Sequence, residues 1–274
     1  MMQDTKFVAL FDLHVGYDVW ETANGFERRP AHDPGMIKLA KSFIKEFEPN
    51  VLIFGGDQSH GASISHWNKD KAIHHIENNY TNDLDELRDK ALVPLVESCP
   101  SNARAIWIEG NHDAWINDFK RKYPQMHKLI DPHAYLGVSG PNGKRNGWEF
   151  VEQGGYYKLG KLFFLHGDKI CASKNGSVLH TKTAVYEWNR SLRYGHFHTY
   201  QCSSKASPND ERDRHTAISV PCMAARAASY LSGSPNSCIQ GFLYGYVSKT
   251  GNFSDYVVVV ANKSVVIEGK VYSK

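Results

Sequence analysis

The chain has 274 residues, 41% of them hydrophobic and 22% charged, with a formal net charge of +3. These values fit a folded globular protein and exclude a disordered or collagen-like chain. The charge permits an anionic substrate but falls short of the excess expected of a dedicated duplex-DNA binder. Five cysteines without a C-x-x-C pair argue against a disulfide framework or a zinc knuckle, and the polar start MMQDTKF lacks the apolar centre of a signal peptide. The expectation is a cytoplasmic protein with no membrane span, folded as a single domain over residues 1–274.

In chain order, Phe7 to Gly16 is an apolar run that ends in Asp12-x-His14 and reads as a strand, whose alternation would aim both side chains the same way at its C-terminal end. Tyr17 to Asp33 is a polar stretch leaving that strand end. Asp33-Pro34 marks a helix start, and Met36, Leu39, Ala40, Phe43, Ile44 and Phe47 follow at helical spacing. Val51 to Phe54 is a second buried strand, closed by Gly55-Gly56-Asp57, so the three elements form a βαβ unit.

A polar loop with His60, His66 and Trp67 precedes an amphipathic helix running from Ile73 to Leu95, with a kink or stop expected near Pro94. Ala103 to Ile108 is the third strand and delivers Gly110-Asn111-His112-Asp113. A helix is expected over Trp115 to Ile130, then a long loop over Pro132 to Gly155. Tyr156 to Leu165 reads as a hairpin ending in His166-Gly167-Asp168. A helix over Ser177 to Leu192 precedes the strand-like Tyr194-Gly195-His196-Phe197-His198. Gln201 to Arg214 reads as a loop. Strands over Thr216 to Val220, Phe242 to Val247, Tyr256 to Val260 and Val265 to Val271 finish the chain.

The ordered motifs D-x-H, GD, GNHD, HG and GHxH resemble those of the calcineurin-like metallophosphoesterase superfamily. The motif-bearing region covers roughly residues 6 to 200, and GNHD and GHFH are its specific parts. The resemblance implies a layered α/β/β/α sandwich of two mixed sheets flanked by helices. It implies that Asp12, His14, Asp57 and His198 hold one divalent metal ion. Asp57 would bridge to a second ion held also by Asn111, His166 and His196. Carboxylate, amide and imidazole donors suit Mn2+, with Fe, Zn, Mg and Ni as alternatives. The implied chemistry is in-line attack on phosphorus by a metal-bridging hydroxide, with His112 as general acid.

Many relatives have GDxxD, whose second Asp supports the catalytic His. Here the run is Gly56-Asp57-Gln58-Ser59-His60, so Asp113, His60 or another group must orient His112. The expected substrate is a phosphorylated compound, with nucleotides or nucleic acid favoured. A nucleotide-sugar or dinucleotide pyrophosphatase, or a non-catalytic metal-binding interaction module, is the alternative. Arg28, Arg29, Arg190 and Arg193 are candidate phosphate clamps, and Trp67, Trp115, Trp148, Tyr156 and Tyr157 are candidate base-stacking rings.

Overall fold

The structure is a computed structural model that describes residues 4–65, 80–126, 131–137, 148–170, 178–226 and 238–274. His66, Trp67, Ile73, Ile76, Ile130 and Ser177, which figure in the sequence reading, lie outside the described residues.

The first strand, β1 (Thr5–Leu10), is followed by a hairpin of β2 (Tyr17–Thr22) and β3 (Gly25–Pro30), and then by α1 (Pro34–Phe47). The stretch expected to be only a polar loop is therefore an antiparallel ribbon. Asp33 caps α1 as its sequence suggests, accepting from the N–H groups of Gly35 and Met36. After β4 (Val51–Phe54) comes α2 (Tyr80–Glu86), which widens into a π-helical segment (Leu87–Leu92) and closes as α3 (Val93–Val96). Pro94 does not break this helix: it lies just after the π-helical segment, in a run that stays helical from Tyr80 to Val96.

β5 (Arg104–Ile108) leads into α4 (Asn111–Lys122). The helix begins at Asn111, so Gly-Asn-His-Asp forms its start rather than a loop before it. Within the long loop expected over 132–155 lie a helical turn, Pro132–Tyr135, and β6 (Trp148–Val151), which pairs parallel with β5. β7 (Tyr157–Leu159) and β8 (Leu162–Leu165) make the expected hairpin. α5 (His180–Trp188) is shorter than expected, since Leu192 belongs to β9 (Ser191–Tyr194).

The loop expected over Gln201 to Arg214 is instead most of a hairpin, β10 (Gln201–Ser207) and β11 (Asp210–Ser219). It was missed because β10 contains few large apolar residues and has only partly buried or exposed positions. β12 (Gly241–Val247) and β13 (Phe253–Val259) follow. The expected last strand is a hairpin of β14 (Ser264–Ile267) and β15 (Lys270–Ser273), turned at Gly269 with φ +81°.

The first sheet has the order β13-β12-β1-β4-β5-β6, and the second β10-β11-β9-β8-β7. Both mix parallel and antiparallel pairs. Strand alternation sorts the core. Phe7, Ala9, Val51, Ile53, Ile106 and Ile108 face Leu159, Leu162 and Phe164 between the sheets. Val8, Leu10, Leu52 and Phe54 pack outward against Met36, Leu39 and Phe43 of α1. Leu165, Leu192 and Tyr194 pack against Ala184 and Val185 of α5 on the far side. The layers are thus α/β/β/α, as the motifs implied.

Arg193 corrects one sequence expectation. It is buried between the sheets, paired through two guanidinium nitrogens with Asp255 of β13, and it donates to the Thr216 carbonyl at 2.9 Å. It is a tie between the sheets and cannot reach a substrate. Among the described residues, no helix is long and apolar enough to cross a membrane.

Candidate metal centre

β1, β4 and β5 run parallel, and so do β8 and β9, so the sequence motifs after them meet at the C-terminal edges of the two sheets. The loops after β1 and β4 run side by side: Asp12 N–H donates to Gly56 O at 3.0 Å, His14 N–H to Asp57 O at 2.9 Å, and His60 N–H to Val15 O at 2.8 Å. Asp12 and His14 lie beyond the end of β1 with φ of 53° and 49°, so left-handed turns rather than strand alternation aim them. Asp57, His196 and His198 also have positive φ. Each such residue costs about 1 kcal/mol or more, and five together persist only where surrounding contacts hold them.

Two of those contacts come from backbone amides. The N–H of His196 donates to both oxygens of Asp12 at 3.1 and 2.9 Å, and the N–H of His112 donates to Asp57 Oδ1 at 2.8 Å. The approach leaves room only for glycine beside each carboxylate. A Cβ on Gly195 would lie 2.4 Å from Asp12 Oδ2, and one on Gly110 would lie 2.1 Å from Asp57 Oδ1.

Ligand atoms of Asp12, His14 and His198 lie within 4.8 Å of one another, as do those of Asp57, His166 and His196. The clusters converge on Asp57 Oδ2, which is 3.7 Å from His14 Nε2 and 3.2 Å from His166 Nε2. Asn111 joins the second cluster, its Oδ1 3.0 Å from His166 Nε2. All seven sequence-predicted ligand residues are therefore brought together at one edge.

The electrostatics fit a cation. Burial pushes Asp12 up to about 6, although His198 and His166 oppose it. Burial opposes ionisation of Asp57 too, but the His166 and His112 imidazoles hold it well below the usual carboxylate range. Burial disfavours protonated His166, yet Asp57 and Asp12 raise it to about 10. A divalent ion would take the place of that proton. Burial pushes His14 well down and His196 down to about 4, so both offer lone pairs at neutral pH. Acidic, amide and imidazole donors without thiolate in the clusters suit a hard or borderline divalent ion.

His112 and Asp113 follow different paths. His112 Nδ1 lies 2.8 Å from the backbone carbonyl of His60 and donates to it, which leaves Nε2 4.0 Å from Asp57 Oδ2. Burial pushes its pKa down to about 4, with Asp57 opposing. Asp113 receives the N–H groups of Gln58, Ser59 and Gly110 at 3.3, 3.0 and 3.0 Å, stitching the loop after β4 to the start of α4. It acts on the position of the ligands and makes no contact with the His112 ring.

The sequence reading missed Asp18, whose Oδ1 lies 2.9 Å from His60 Nε2, and Cys238, whose Sγ lies 3.8 Å from His198 Nδ1. Neither stands in a recognisable motif. Arg28 lies over the Tyr17 ring, Arg29 pairs with Glu27, and Arg190 donates to the neighbouring Asn189 carbonyl. Trp115 lies beside the site, its ring 3.9 Å from that of His112. Trp148 stacks on Phe54 in the core region, whereas Tyr156 and Tyr157 contact rings of β8.

The profile of calcineurin-like phosphoesterases matches residues 5–238. No curated protein matches the chain. Similar solved structures include nuclease MPE of Pseudomonas putida, at 12% identity, covering 91% of this chain and 87% of that one, with a TM-score of 0.35. The phosphoesterase Yfce of E. coli has 13% identity, with 92% and 98% covered and a TM-score of 0.34. Vps29 of Chaetomium thermophilum has 11% identity, with 93% and 97% covered and a TM-score of 0.36.

Proposed function

Since this chain belongs to the calcineurin-like phosphoesterase family, we propose that it hydrolyses phosphate esters of nucleotides or nucleic acid, using two divalent ions, with Mn2+ favoured. Asp12, His14, Asp57 and His198 would hold one, and Asp57, Asn111, His166 and His196 the other. The observation that carries this reading is the single oxygen, Asp57 Oδ2, facing a histidine of each cluster. Such ions supply Lewis acidity toward a phosphoryl group and toward water.

The remaining steps belong to the chain's own residues. With its Nδ1–H donated to the His60 carbonyl, His112 handles protons at Nε2. At about 4 its pKa leaves that atom bare in the metal-free site, so to act as the acid His112 must take up its proton as the anionic ester binds. His112 Nε2 then holds a proton for the leaving oxygen. Trp115 supplies a ring beside His112 against which a base can stack. The four free cysteines among the described residues, Cys99, Cys202, Cys222 and Cys238, suit a reducing compartment such as the cytoplasm.

The test is turnover of bis-p-nitrophenyl phosphate, p-nitrophenyl phosphate and single-stranded DNA by metal-stripped and Mn-loaded protein. Near two equivalents of bound metal and metal-dependent turnover are expected. His112→Ala should keep its metal and lose most rate on poor leaving groups. Metal binding without turnover of any phosphorylated compound would favour the interaction module instead. Equal loss on good and poor leaving groups would remove the acid role from His112.

A further inference from the structure

We infer that Asp18 and His60 form a hydrogen-bonded relay that fixes the proton of the ligand His14 on Nδ1 and turns its Nε2 toward the metal, so that the β2–β3 hairpin takes part in metal binding. The inference rests on the metal-centre reading above. Four distances carry it. His14 Nε2 lies 3.7 Å from Asp57 Oδ2 and 3.2 Å from His198 Nε2, which makes it the ring's ligand atom. His14 Nδ1 lies 3.4 Å from His60 Nδ1. His60 Nε2 lies 2.9 Å from Asp18 Oδ1. All three residues are buried.

These contacts leave one arrangement of protons. A neutral imidazole carries one proton, and a nitrogen that ligates a metal carries none. His14 Nδ1 must therefore be the donor. Two facing nitrogens cannot both donate, so His60 Nδ1 accepts, and the His60 proton sits on Nε2, facing a carboxylate that can only accept when ionised. Ligand histidines ordinarily use their second nitrogen in this way, and loss of such a partner weakens metal binding. Here the partner is another histidine, and the carboxylate stands one ring further out.

His60 occupies the position where many relatives place the Asp that supports the catalytic His. Its two halves divide the work. The ring serves His14, and the backbone carbonyl serves His112. A side-chain substitution at position 60 should therefore weaken the metal site while leaving the orientation of His112 in place. Asp18 and His60 are positioning residues, acting through His14.

The test combines zinc titration calorimetry of metal-stripped protein with 15N spectra of histidine-labelled, zinc-loaded protein. The wild type should bind two equivalents, with His14 protonated at Nδ1 and His60 at Nε2. Asp18→Asn and His60→Phe should each lower zinc affinity by about 10- to 100-fold. Rates of the His60→Phe protein across aryl phosphate leaving groups should keep the wild-type slope, because the carbonyl at position 60 remains. Asp18→Asn, nearly isosteric, keeps the test open if the His60 variant does not fold. Unchanged affinity in both variants, or a proton on His60 Nδ1, would overturn the relay alone. So would a third zinc ion lost in His60→Phe, which would mean that His14, His60 and His112 hold an ion. No zinc bound by the wild type would overturn the metal centre and the relay together.

Discussion

Replacing Asp83 by Asn should stabilise the protein by an amount that grows with pH. Asp83 lies on α2 with both carboxylate oxygens buried and without a hydrogen-bond partner among the described residues. Burial pushes its pKa from 3.8 to about 7, against the opposing charges of His60 and Arg28. An acid whose folded pKa is raised binds its proton more tightly in the native state, so stability falls as pH rises from the unfolded value to the folded one. At pH 5 the penalty is roughly 2 kcal/mol, and at pH 8, above both values, it is about 4 kcal/mol. Asn carries no such charge, and any fixed cost of its amide cancels when the two pH values are compared. The gain of Asp83→Asn over wild type should therefore be about 2 to 3 kcal/mol larger at pH 8 than at pH 5. Urea unfolding of metal-stripped protein at both pH values measures it. A gain that does not change with pH would show that Asp83 ionises in the native state at its ordinary pKa, and would refute the reasoning.

Two further substitutions test the scaffold. Gly110→Ala places a Cβ 2.1 Å from Asp57 Oδ1 and 2.2 Å from its backbone nitrogen, and should reduce metal affinity more than tenfold in titration calorimetry; wild-type affinity would mean the loop has room to give. Arg193→Met leaves the Asp255 carboxylate without its bidentate partner between the sheets and should cost about 3 to 5 kcal/mol in urea unfolding. Adding Asp255→Leu should recover most of that loss, and failure to recover would show that packing rather than the unpaired charge sets the cost.

The ligand residues were legible because the D-x-H, GGD, GNHD and HGD motifs each close a strand-like apolar run, GHFH follows them in the family's order, and parallel strands deliver their ends to one edge. How they are aimed was not legible: the left-handed φ of Asp12 and His14 arises from hydrogen bonds to a loop more than 40 positions later. The β10–β11 hairpin escaped notice because β10, an edge strand in the second sheet, needs few large apolar side chains. Arg193 looked like a phosphate clamp beside GHFH, yet its position in β9 points it between the sheets, where a partner 62 residues away meets it. The sequence offers His60 as one support for His112. The support comes from its backbone, which no residue type announces.

Each of the two clusters draws on both sheets. Asp12, His14, Asp57 and Asn111 follow strands of the first, and His166, His196 and His198 follow strands of the second. An ion shared between them is a cross-link between the two halves of the sandwich at their open rim, while Arg193 and Asp255 rivet the halves further in. Occupancy and mechanical cohesion are then the same quantity at that rim: removing the ions should loosen amide exchange first around Gly55–Asp57 and Gly195–His198, and leave the strands near the rivet protected.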